Sequence, residues 1–421
     1  MVRGFAPKGP ERTRSGLRLS IEALTIVTEI LRTPGLRLAA VEPPGVVADS
    51  VLFVVDEPSD SIHVVPLLHA LRRQTHVNPV VIFTSAAARE TFDDLALMGS
   101  VRLRPEHRTL DLGAHDATER TSVALRAFGA ILDEDLPAVV VLVGAGDATL
   151  AAALATAKAG VPILRLDGGM RAGDWSRPDE INRTLIDRLA DTLLVSGPTE
   201  VRTLEHEGTS TSRVHEVGNL AVDLLDRWRR RAEERAVWTR IGVRPDDYAL
   251  VVLERRENLA DAERLRAIVE ALATTARSRP VVFAVPGWAN PQFRRDLRPE
   301  QLRALGLVCV GPLSYVDLLS LKLRSAGVIT DSITVQDELT ALGRRSFTLA
   351  DTAERVATVT DGTNVLIGHD PADLVLVDFD GAPTPEVAGA PIPLWDGCTG
   401  IRAADVLVSN YIFERALGVE V

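Results

Sequence analysis

Lysine is nearly missing from this 421-residue chain: Lys8, Lys158 and Lys322 are the only three, and arginine carries the remaining positive charge. An anion held by such a protein is gripped by planar arginine forks more than by lysine point charges. There is no long basic run, and the formal net charge is −11. That balance argues against nucleic acid or an anionic membrane as the main partner, while leaving room for a local phosphate cleft. Only two cysteines occur, Cys309 and Cys398. They lack metal-ligand spacing and read as a reduced pair. No charged-then-apolar leader pattern opens the sequence and no apolar run is long enough to span a bilayer, so the expected location is cytoplasmic. No GxGxxG turn follows the first strand, and the eight histidines are scattered. Neither a dinucleotide fingerprint nor a metal cluster is present, and no cofactor is expected.

What the sequence does contain is hydrophobic residue, 46% of the whole, and length enough for two cores. Residues 1–48 form an extension in which Ser20 caps a helix to about residue 32, with Ile21, Leu24, Val27 and Leu31 on one face. From residue 51 the pattern is strand, turn, helix. Strands are expected over 51–55, 80–84, 138–143 and 161–166, with helices over 61–73, 122–132 (capped by Ser122) and 148–158. The pattern restarts after Asp223: strands over 249–253, 280–285, 307–310 and 327–330, helices over 260–278, 315–323 and 335–342. Short apolar strands alternating with helices predict parallel doubly wound sheets. The expected fold is α/β, with one Rossmann-like domain over 49–225, a second over 226–401, and a C-terminal helix over 402–421 that crosses back. Ligands in such folds sit at the C-terminal strand ends, here in a cleft between the domains.

Acids gather at those ends. Asp147 follows one strand in Gly144-Ala145-Gly146-Asp147, Asp167 follows the next in Asp167-Gly168-Gly169-Met170-Arg171, and Asp179 and Glu180 open a helix. Singly, Asp147 reads as a helix cap and Asp179 and Glu180 as first-turn acids. Together at neighbouring strand mouths they form a group suited to removing a proton from carbon. Trp175, between Arg171 and Pro178, reads equally as a stacking residue or a packed lid residue. His206 and His215 read as surface or structural.

The same residues carry a resemblance. Gly146-Asp147-Ala148-Thr149, the run from Asp167 to Gly173, and Pro178-Asp179-Glu180-Ile181-Asn182-Arg183 through Asp191 resemble the central block of the non-hydrolysing UDP-N-acetylglucosamine 2-epimerases. Gly218-Asn219 and Asp223, Arg255-Arg256-Glu257-Asn258, the stretch from Gly311 to Tyr315, Thr330-Asp331-Ser332, Gln336-Asp337-Glu338, Thr352-Ala353-Glu354-Arg355 and Asp396-Gly397 follow in the family's order. The resemblance implies a GT-B-like pair of Rossmann-like domains facing a central cleft and, with the apolar faces of the helix over 61–73 and of the N-terminal helix, a homodimer through first-domain helices. It implies a UDP-linked sugar as substrate, with neither nicotinamide nor metal. The proton at C2 is removed, UDP is eliminated to 2-acetamidoglucal, and UDP re-adds with the proton on the other face. It assigns the acid–base chemistry to Asp147, Asp167 and Asp179, and substrate binding to Arg171, Glu180, Arg183, Glu254, Arg255, Arg256, Ser332, Gln336, Glu338 and Arg355.

The sequence also departs from that pattern. Asp167 and Asp179 stand where the family has glutamate. Asp56-Glu57-Pro58-Ser59-Asp60 replaces Gly-Thr-Arg-Pro-Glu. Glu254 and Pro286 stand at family histidines, and Ser332-Ile333-Thr334 replaces Ser-Gly-Gly. Glycines there let backbone N–H groups approach a diphosphate, whereas β-branched residues crowd it. Either the diphosphate rests differently, on Arg255, Arg256 and Arg355, or the ligand is no longer UDP-linked. Three readings follow: an epimerase on UDP-N-acetylglucosamine or a close nucleotide sugar, a non-catalytic binding or assembly subunit, and a hydrolase or glycosyl transferase on the same scaffold.

Overall fold

A computed structural model of the chain describes residues 50–74, 77–97, 105–113, 116–259, 261–284, 299–380 and 392–413. The helix expected over residues 20–32, the loop holding Pro286, and the side chain of Arg256 lie outside the described residues.

The apolar runs form strands because each is covered on both faces. β1 (Ser50–Val55), β2 (Asn78–Phe83), β3 (Glu106–Thr109), β4 (Val139–Leu142), β5 (Ile163–Arg165), β6 (Thr192–Val195) and β7 (Val214–Glu216) make a parallel sheet in the order β3-β2-β1-β4-β5-β6-β7. Val51, Phe53 and Val55 pack to one side with Val64, Leu67, Leu68 and Leu71 of helix Pro58–Gln74; Leu52 and Val54 pack to the other with Ala148, Ala151 and Ala152 of helix Asp147–Lys158. β8 (Ala249–Val252), β9 (Val281–Ala284), β10 (Leu307–Val310), β11 (Gly327–Thr330), β12 (Ser346–Thr348) and β13 (Asn364–Leu366) make the second parallel sheet, ordered β10-β9-β8-β11-β12-β13. Strand order reverses between β1 and β4 and again between β8 and β11. Those two points open crevices where connecting chain leaves in opposite directions.

Several boundaries differ from the expected ones. The helix expected at residue 122 runs Ala117–Glu134, because Asp116 accepts a bond from Glu119 N at 2.9 Å and caps it earlier; Ser122 lies inside it. β3 is an exposed edge strand, Glu-His-Arg-Thr, with no apolar signal to reveal it. Residue 226 falls within a continuous helix, Leu220–Arg235, that leads from one sheet to the other and pairs Arg235 with Asp317 at 2.9 and 3.1 Å.

The C-terminal helix is Thr399–Leu407, followed by a wider π turn, Val408–Phe413. Asp223 accepts Thr399 N at 3.0 Å and Gly400 N at 2.7 Å, and Tyr411 hydroxyl meets Thr192 hydroxyl at 2.6 Å. A Cβ at Gly400 would sit 3.0 Å from Pro66 O, a tight contact that glycine avoids as this helix lies against Pro58–Gln74. The apolar face of Pro58–Gln74 is thereby spent inside the chain.

Helix Pro58–Gln74 also starts one turn earlier than expected, because Asp60 accepts Asp56 N at 3.0 Å and Glu57 N at 2.9 Å. Burial, and then nearby Asp56, push the Asp60 carboxyl from 3.8 to about 7 against the pull of those two bonds. A raised acid favours the folded state while protonated, so its contribution is full below about 4 and is lost as pH rises through about 7. Asp60→Asn keeps an accepting oxygen and removes the titration. The wild-type melting temperature should fall between about pH 4 and about pH 7, and thermal melts of Asp60→Asn should show a flatter dependence. An unchanged slope would place the titration elsewhere.

Candidate active site between the two sheets

The turn after β4 brings Asp147 to the crevice beside β1. A Cβ at Gly146 would overlap the Asp56 carboxylate, and one at Gly144 the carboxylate of Asp60. Glycines there let the turn settle onto two acids. Asp56 is in turn neutralised by Arg120 at 2.5 Å and hydrogen-bonded by the Thr84 hydroxyl. The cap of helix Asp147–Lys158 is Gly146, with no side-chain bond, so Asp147 is the first helical residue and not its cap. Its half-buried carboxylate accepts from Asn182 Nδ2 at 3.2 Å, and the same nitrogen donates to Ala145 O at 3.0 Å. Among the described residues Asp147 has no ion pair.

Asp167 follows β5 in the left-handed region, φ 56°, which short polar side chains tolerate. It is buried. Arg355 Nη2 reaches its Oδ1 at 2.9 Å, and His63 Nε2 lies 3.4 Å from its Oδ2. Burial acts to raise this carboxyl, but His63, Arg355 and Arg165 outweigh it and hold it below the ordinary aspartate range. Asp179 sits in the first turn of helix Pro178–Leu189, gripped by Arg177 at 3.2 and 2.7 Å with Arg183 at 3.4 Å. Burial again acts upward, and Arg177, Arg183 and Arg255 prevail to hold it down. The Asn182 bond ties this helix to Asp147, while Asp167 is held from the second sheet by Arg355.

The second sheet supplies the opposite wall. Arg355 is fully buried. Besides Asp167 it holds Asp337 at 3.0 Å and the Ser196 hydroxyl, with Glu200 at 3.8 Å and the Trp395 ring 6.0 Å away. Glu354 Oε1 accepts Arg255 at 2.5 Å and Arg177 at 3.0 Å, and Glu354 O accepts Arg171 N at 3.2 Å. Asp331, after β11, accepts Glu254 N at 2.7 Å, Arg255 N at 3.2 Å and Asn258 Nδ2 at 2.6 Å. Ser332 opens helix Ile333–Ala341 without a side-chain cap bond. Its hydroxyl is in hydrogen-bonding contact with Glu254.

Glu254 is exposed by surface area, yet it is crowded by protein on several sides, as expected for the wall of an open-mouthed concavity. That crowding, with Asp331 and Glu338 adding, raises its carboxyl; Ser332 and Lys322 only partly oppose them.

The remaining candidates are committed inside the protein. Arg171 forks onto Glu207 at 2.8 and 2.9 Å and holds Asp187 at 2.8 Å; Asp187 in turn accepts Gly169 N at 2.9 Å. Glu180 accepts Ala172 N at 3.1 Å, Gly173 N at 2.9 Å and Arg183 at 2.6 Å, bracing the loop after Asp167. Glu338 is fully buried between Lys322 and the Tyr315 hydroxyl, the latter at 2.7 Å. Gln336 is also fully buried, and its side-chain atoms find no partner among the described residues.

Residue typing from sequence passed over His63, Arg177, Asn182, Lys322 and Glu354. Asn182 and Glu354 lie within the motifs quoted above, and Lys322 is one of only three lysines. Nothing local marks His63. Among the described residues, no His, Cys, Asp or Glu group is arranged to hold a metal ion, and no helix is long and apolar enough to cross a membrane.

Fold and site define an α/β protein of two parallel sheets in which acids and arginines from both sides pair with one another, as in Arg355–Asp167 and Arg177–Glu354. The family model for UDP-N-acetylglucosamine 2-epimerase matches residues 69–408. The UDP-N-acetylglucosamine 2-epimerase of Escherichia coli is 30% identical over 342 residues, 77% of this chain and 88% of that relative. The UDP-2,3-diacetamido-2,3-dideoxy-D-glucuronate 2-epimerase of Pseudomonas aeruginosa is 31% identical over 269 residues, 63% of this chain and 73% of that one. The crystal structure of Methanocaldococcus jannaschii UDP-GlcNAc 2-epimerase with UDP-GlcNAc and UDP shares the GT-B-like fold, with TM-score 0.76 at 24% identity, covering 86% of this chain and 100% of that one. The chain belongs to the UDP-N-acetylglucosamine 2-epimerase family.

Proposed function

We propose that this protein interconverts UDP-N-acetylglucosamine and UDP-N-acetylmannosamine, or a close nucleotide sugar, by removing the C2 proton, eliminating UDP and re-adding it. The observation that supports this reading is that Asp167 and Asp179 each lie within reach of a second-sheet arginine, Arg355 and Arg255, while Asn182 joins the helix of Asp179 to Asp147. Asp147, solvent-accessible and without an ion pair among the described residues, suits the base. The C2–H electrons form the C1–C2 double bond, and the C1–O pair leaves on the β-phosphoryl oxygen. Asp179 is paired with Arg177.

Phosphate binding on the second wall exchanges protein contacts for ligand contacts. Arg255 is released from Glu354 to meet the diphosphate, with Arg256 beside it in sequence, and Ser332 presents the N-terminus of Ile333–Ala341. Glu254 stands beside Ser332, and the upward shift of its carboxyl reduces its repulsion of a phosphate neighbour. A homodimer belongs to the proposal. Ile181 and Leu185, one turn apart on Pro178–Leu189, and Trp175 before it are exposed apolar residues suited to a second copy. Light scattering that finds a monomer would remove that part alone.

The test is positional isotope exchange. UDP-N-acetylglucosamine carrying ¹⁸O between C1 and phosphorus should scramble the label into non-bridging positions, because released UDP rotates before it returns. Product formed with the label kept wholly in the bridge would contradict elimination. Neither product nor scrambling, from this sugar or from the diacetamido uronate, would contradict the function.

A further inference from the structure

His63 lies in helix Pro58–Gln74, shortly after the Asp56–Asp60 stretch, and its ring ends beside Asp167. Its Nδ1 is 3.2 Å from Ser59 O, and its Nε2 is 3.4 Å from Asp167 Oδ2. The residue is buried, 7% exposed, and Nε2 has no hydrogen-bond partner of good geometry among the described residues.

These contacts fix the proton inventory. A carbonyl oxygen only accepts, so Nδ1 carries a hydrogen toward Ser59 O. In a neutral ring Nε2 would then be a lone pair facing a carboxylate oxygen, two acceptors with nothing between them. One proton between Nε2 and Asp167 removes that conflict.

The geometry points to His63 as a further acid–base residue, storing next to Asp167 the proton that Asp167 delivers to C2. The inference rests on the epimerase reading above. On one face the C2–H bond breaks and its proton goes to the Asp147 carboxylate, while the C1–O pair leaves with UDP. When UDP re-forms the bond at C1, the C1–C2 π electrons take a proton from Asp167 on the other face. The proton on His63 Nε2 moves to Asp167. His63 is left neutral and Asp147 protonated, and exchange with solvent restores both. No oxidant or reductant is involved.

The surroundings suit this division of labour. Facing the pair are Arg355 on Asp167 Oδ1, Arg165 behind it, and Glu200 and Asp337 beyond Arg355. Arg355 stays charged and cannot give up a proton. His63 is therefore the proton donor in contact with Asp167. Asp147, without such a partner among the described residues, starts as the free base. The two acids are loaded oppositely before substrate arrives.

The direct measurement is nitrogen NMR of protein carrying ¹⁵N-histidine at neutral pH, with His63 assigned by its loss in His63→Gln. Both His63 ring nitrogens should be protonated in the wild type, and Nε2 should lose its proton in Asp167→Asn. His63→Gln should slow C2 deuterium exchange by about 10²-fold, the lower end for a positioned acid–base group. It should leave KM unchanged. An unprotonated Nε2 in a wild type that exchanges C2, or a His63→Gln variant that exchanges C2 at the wild-type rate, overturns this inference alone. A protonated His63 in a protein that never exchanges C2 overturns it together with the function.

Discussion

Asp147→Asn is expected to leave a folded protein that exchanges the C2 proton about 10²–10⁴-fold more slowly, the range a positioned general base contributes. The amide keeps the shape, and its oxygen still accepts from Asn182, which donates at 3.2 Å to the native carboxylate. Only basicity is lost. Asp147 makes no capping bond, so the stability change is confined to its interaction with the helix dipole, about 0.3–1 kcal/mol. A large change in melting temperature would mean that Asp147 is structural. Unaltered exchange would remove it from the chemistry and move the base to Asp179.

Arg355→Gln is expected to have the largest effect on the fold. The native guanidinium is fully buried and satisfies Asp167 from the first wall and Asp337 from the second, with Glu200 close by. Burial acts to lower its basicity, but those three acids raise it overall. Removing one partner of a buried charge pair strands the other in low dielectric and costs about 3–5 kcal/mol. For a chain this size that corresponds to a fall of roughly 3–6 °C in Tm. The stranded charge is the cause, so adding Asp337→Asn to Arg355→Gln should restore part of the loss. Calorimetry that finds the two changes additive would contradict a shared charge network.

The fold was legible because doubly covered parallel strands are short unbroken apolar runs, as in Val139–Leu142 and Gly327–Thr330. The acids at the strand ends were legible for the same reason, since each run announces where its crevice begins. Orientation was not. Arg171 and Arg183 look like anion-binding residues in sequence. The structure turns Arg171 onto Glu207 and Asp187, and Arg183 onto Glu180 and Asp179. Which acid neutralises which arginine depends on packing across sheets, and no local pattern encodes it. His63 reads as one more polar residue on an apolar helix until Asp167 is placed beside it, more than a hundred positions away.

The account stands most directly on hydrogen exchange at carbon. Purified protein incubated with UDP-N-acetylglucosamine in deuterated water should yield UDP-N-acetylmannosamine and place deuterium at C2 of the sugar, both read by proton NMR. Substrate recovered unchanged and undeuterated, from protein shown by calorimetry to bind UDP, would contradict the account: the cleft would then hold the nucleotide without performing the reaction.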